Sequence, residues 1–81
     1  MKVIIDVNVE TSQMLVHFPD RILRFAIAPV IKGIERILSY KNGFISFEAP
    51  GIEGNNFIDL REICAWVGYQ PDFSNILLEV A

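Results

Sequence analysis

The apolar positions follow two rhythms. From Lys2 to Val9 they alternate, with Val3, Ile5, Val7 and Val9 on one side and Ile4, Asp6 and Asn8 on the other. That is the pattern of a half-buried strand. From Pro19 to Tyr40, Leu23, Ile27, Val30, Ile31, Ile34, Ile37 and Leu38 recur at three- and four-residue steps, with Arg21, Arg24, Lys32, Glu35, Arg36 and Ser39 opposite them. This spacing predicts a long amphipathic helix, the element around which the rest would pack. Pro19 suits a first helical position, Asp20 complements the helix dipole, and Asn42-Gly43 supplies a left-handed stop. Pro29 removes one hydrogen bond and bends the helix or divides it in two. Glu10 to Phe18 reads as an irregular or extended connector. A second hairpin strand over Gln13–Phe18 is the alternative.

Beyond the helix, Phe44 to Ala49 alternates again, with Ile45, Phe47 and Ala49 against Phe44, Ser46 and Glu48. The segment PGIEGNN is turn-rich. Phe57-Ile58 is a short returning strand, and Asp59-Leu60-Arg61-Glu62 carries a capping-box pattern. Leu60, Ile63, Cys64 and Val67 then give a second helical stripe that Gly68 ends, and Ile76 to Val80 is a last strand. The order βαββαβ predicts an α+β two-layer sandwich of ferredoxin-like form with a kinked first helix. If Gln13–Phe18 pairs, the order becomes ββαββαβ. The 81 residues make one domain, 1–81.

Composition sharpens this picture. Hydrophobic residues make up 52% of the chain, more than one small core readily hides, so self-association is expected. No apolar run is long enough to span a bilayer, and the N-terminus lacks a signal-peptide pattern. With Cys64 as its single cysteine, the chain fits a reducing cytoplasm. A net charge of −3 argues against general attraction to nucleic acid or anionic lipid.

Little of the sequence carries recognisable chemistry. One histidine, His17, and one cysteine are too few for structural zinc, and no cofactor motif occurs. Gly51-Ile52-Glu53-Gly54 lacks the lysine of a phosphate cradle. Asp6 is the exception. MKVIIDVNV resembles the opening strand of PIN-domain ribonucleases, in which an Asp at a strand end, followed two positions later by Asn, helps bind a divalent cation. Asp6 and Asn8 match that motif, which implies a metal-dependent nuclease. The resemblance covers about nine residues. The second half lacks the matching strand-and-acid pattern, and one Asp with one Asn supplies few oxygen ligands for a hard cation.

Three surfaces remain. Ile4, Phe44, Phe57 and Leu77 fall on the sheet face that the helices would leave open, a candidate oligomer interface. Arg21, Arg24, Lys32 and Arg36 share one side of the long helix and could meet an anion or an acidic partner. Trp66 and Tyr69 lie off the second helix's core stripe and, with the glycine loop, would line a ligand pocket. The leading expectation is a small non-catalytic interaction or regulatory module acting as a homo-oligomer. A small-ligand sensor and a nuclease-like protein using Asp6 are the alternatives.

Overall fold

The computed structural model describes residues 1–81. It is an α+β sandwich of two sheets and one short helix. The first sheet holds β1 (Lys2–Asn8), β2 (Gln13–His17), β3 (Ile22–Ala26) and β7 (Leu77–Val80), in the order β3-β2-β1-β7. The second holds β4 (Arg36–Lys41), β5 (Phe44–Glu48) and β6 (Asn56–Asp59), in the order β4-β5-β6. The helix α1 (Leu60–Trp66) follows β6 directly. All pairings are antiparallel except β1 with β7.

The long helix expected over Pro19–Tyr40 does not form, kinked or divided. Its residues make β3, a loop and β4. Phe18-Pro19-Asp20-Arg21 is the β2–β3 turn, closed by a bond from the Phe18 amide to the Arg21 carbonyl at 2.8 Å. Proline at the second turn position presets that geometry, so Pro19 is a turn residue here and not a helix start. Leu23 and Phe25 alternate inward with Arg24 outward, while Pro29 lies in the β3–β4 loop, where it costs no ladder bond. Two members of the apparent helical stripe are open to solvent, Val30 at 63% and Leu38 at 37%. Leu38 occupies a register shift between Ile37 and Ser39. This bulge lets Ile37 and Tyr40 both face inward opposite Phe47 and Ile45.

Asn42-Gly43 is likewise a hairpin turn rather than a helix stop. Both residues have positive φ, 49° and 97°, the requirement of a two-residue type I′ connection. The Gln13–His17 segment pairs with β1 from Asn8↔Gln13 to Ile4↔His17, so the hairpin alternative replaces the irregular connector. The ferredoxin-like plan of two helices on one sheet gives way to strands that outnumber βαββαβ. The second sheet covers the face for which the long helix was invoked.

Elsewhere the expected elements form. The Asp59 side chain caps α1 by accepting from the Arg61 amide at 3.0 Å. Leu60, Ile63 and Cys64 are buried, whereas Val67 at the C-cap is exposed. The core joins both sheets and the helix in one cluster that includes Val3, Ile5, Met14, Val16, Ile45, Phe47, Ile58, Leu60 and Cys64. No helix is long and apolar enough to cross a membrane.

Candidate binding cleft

β3 and β6 are each the last strand on one side of their sheets. Between them opens a cleft of about 340 Å³, within the size range of small-ligand sites. Phe25, Ala26, Ile27, Ala28 and Ile31 form one wall. All four residues of β6, with Glu62, Ile63 and Trp66 of α1, form the other, and Met14 and Phe47 are also among its lining residues. Glu62 and Trp66 reach the same opening because they lie one helical turn apart.

The polar groups of the cleft are few. Asn56 Nδ2 is buried without a hydrogen-bond partner, a condition that costs about 1–3 kcal/mol. Asp59 is engaged by the Arg61 amide and lies 3.6 Å from Arg61 Nε. Glu62 takes part in none of the four ion pairs of the chain, and no Lys or Arg lines the cleft. The opening is therefore apolar and bears one free carboxylate, while the Asn56 amide nitrogen is buried out of its reach.

The structure separates the two residues expected to share a pocket. Trp66 lines the cleft at 66% exposure. Tyr69 packs elsewhere, edge-on to Phe18 at 5.0 Å, with its hydroxyl donating to Asp20 at 2.9 Å and the Arg21 guanidinium 3.9 Å from its ring centre. The Tyr69 hydroxyl holds the Asp20 carboxyl below the usual carboxylate range. Burial, followed by the bond to Asp20, pushes the Tyr69 phenol up. This cluster ties the β2–β3 turn to the chain leaving α1. Of the glycine loop, only its last residue lines the cleft, Asn56, which starts β6.

The basic residues do not share a side. Arg21 belongs to the turn cluster, and Arg24 projects from the outer face of the first sheet opposite Leu15. Lys32 is on the β3–β4 loop, and Arg36 starts β4 in the other sheet, paired with Glu48 at 2.8 Å. The four interface candidates also divide. Ile4 and Leu77 lie on the outer face of the first sheet, where their register neighbours Glu79 and Lys2 pair at 3.1 Å. Phe44 and Phe57 lie on the outer face of the second sheet, stacked at 5.5 Å. These are opposite outsides of the sandwich, since the inner faces meet in the core.

Asp6 sits mid-strand opposite Leu15, and no three His, Cys, Asp or Glu side chains converge anywhere in the chain. Cys64 is buried and free, with its thiol pushed up by burial, the reverse of an activated nucleophile.

The sequence marks Trp66 for a pocket and Phe57 for an interface, but it does not show the cleft that both residues line. The spacing predicts helix for its other wall, Phe25 to Ile31. The available signal was Pro29 in mid-segment followed by Gly33, beside a high content of β-branched residues. No protein-family model, curated protein or solved structure matches this chain.

Proposed function

We propose that this chain is a non-catalytic binding module whose working surface is the cleft between β3 and the β6–α1 unit. One observation carries the reading: an apolar opening of ligand size lies between two free sheet edges and bears a carboxylate outside every ion pair. The buried free thiol suits a reducing cytoplasm.

Trp66 is the single tryptophan and lies in the cleft, so its emission reports occupancy. A neutral apolar dye such as Nile red is expected to quench Trp66 saturably. Ala28→Phe fills the mouth from an exposed position and is expected to weaken that binding several-fold. Absence of saturable quenching, or identical binding by the two proteins, would count against the cleft as a site.

A second reading, self-association, is favoured by the stacked Phe44–Phe57 pair, exposed at 42% and 59% on an open sheet face. Aromatic groups of this kind anchor interfaces. Phe57 belongs to both surfaces, but Phe44 does not line the cleft, so a change at Phe44 tests self-association alone. Light scattering after size exclusion is expected to show a dimer or higher oligomer that Phe44→Asp converts to a folded monomer. A monomeric wild type at tens of micromolar would sink this reading.

A further inference from the structure

We infer that the cleft accepts an extended peptide segment, which adds as a strand to the free edge of β6 and sets a lysine or arginine against Glu62. This rests on the cleft being a binding site and adds the identity of its occupant.

Backbone geometry comes first. The Leu60 amide donates to the Gly43 carbonyl at 2.8 Å, and Ile45 opposes Ile58 in register. In an antiparallel ladder this makes Ile45–Ile58 and Phe47–Asn56 the hydrogen-bonded pairs. The backbone N–H and C=O of Phe57 and the N–H of Asp59 therefore face away from β5, along the edge that borders the cleft, while the Asp59 carbonyl, at the N-cap, belongs to α1. Unpaired edge groups of this kind are the template for strand addition, in which main-chain bonds hold the peptide and alternate side chains enter the groove. β6 has four residues, so it offers pairing for a segment of similar length.

The side chains agree with that occupant. The apolar lining suits an aliphatic side chain on every second residue. Glu62 is the uncompensated charge of the cleft, and Trp66 stands one turn beyond it on α1. A cationic side chain would meet the carboxylate with its head and the indole with its stem or charge. A partner with an acidic residue at that position would meet repulsion instead.

The test follows Trp66 emission on titration with acetyl-Lys-Val-Thr-Val-Thr-amide. Three comparisons are run with it: a version with Glu for Lys, a version N-methylated on its pairing amides, and Nile red. The lysine peptide is expected to bind saturably, and the glutamate and N-methylated versions more weakly. Glu62→Gln, a change at an exposed position, is expected to weaken the lysine peptide about two- to fivefold and to narrow its lead over the glutamate version. Equal binding of the N-methylated peptide overturns strand addition. Equal binding of the lysine and glutamate peptides overturns the role of Glu62. Nile red binding without binding of any peptide overturns this inference and leaves the cleft reading standing. Absence of both overturns both.

Discussion

Gly43→Val is expected to remove a large share of the stability of this protein, about 2–5 kcal/mol. Gly43 has φ +97°, a region closed to β-branched residues. A Cβ there would lie 2.8 Å from Arg61 Cγ and 3.2 Å from Phe73 Cδ1. The backbone cannot easily retreat, because the Gly43 carbonyl accepts from the Leu60 amide at 2.8 Å. The left-handed conformation costs roughly 1–2 kcal/mol, and the overpacking about 1–3 kcal/mol more. At roughly 0.05–0.15 kcal/mol per residue, an 81-residue chain holds about 4–12 kcal/mol in all. Asn42→Gly is the matched control, since glycine accepts the Asn42 φ of 49° without strain. Urea melts followed by circular dichroism decide it. A Gly43→Val midpoint equal to that of wild type would mean that the β4–β5 turn, the start of α1 and the Phe73 ring are not locked together at this residue.

Ile5→Ala is expected to cost about 2–5 kcal/mol, and Ile4→Ala far less. Ile5 is fully buried on β1, a central strand that bonds to β2 on one side and β7 on the other. Truncation there opens a cavity between the sheets, where strands on both sides resist collapse. Ile4 is one residue away on the outer face and loses only partial burial. Chemical denaturation of the two variants compares the faces directly, and equal losses would contradict the inward and outward assignment.

That assignment was legible from the sequence. In β1 and β5 the alternation picks out the inward row of Val3, Ile5, Ile45 and Phe47, although Ser46 on the opposite row is buried as well. The Asp59 cap and the Leu60, Ile63, Cys64 stripe marked α1, because a side-chain cap and a helical period agree there. Between Pro19 and Tyr40 two periods coexist. Leu23, Ile27, Ile31 and Ile34 fit a helix, but Leu23, Phe25 and Ile27 also fit a strand. The bulge at Leu38 then erases the alternation of β4 and leaves a spacing that mimics a helical turn. Asn-Gly was decisive for a hairpin and was outweighed by the apparent stripe before it. The cleft was half legible. Phe57 and Trp66 stood out as surplus aromatic residues, but their facing wall depended on the misassigned segment. The basic stripe dissolved for the same reason, since it required a helix to exist.

The parallel pair of β1 and β7 bears on how the chain reaches this structure. The Met1 amino group bonds to the Asn75 carbonyl across 74 positions of sequence, and the Leu77 amide bonds back to Met1. The hairpins β1–β2–β3 and β4–β5–β6 close through short loops and can form early and separately. The β1–β7 contact must close a loop of nearly the whole chain, which places it among the slow, topology-limited events of folding. Until it closes, β1 keeps one edge open while already carrying its buried apolar row of Val3 and Ile5. A partly folded chain therefore passes through a stage with an unpaired, strongly apolar strand, and its yield at high concentration is governed by how soon the last strand arrives.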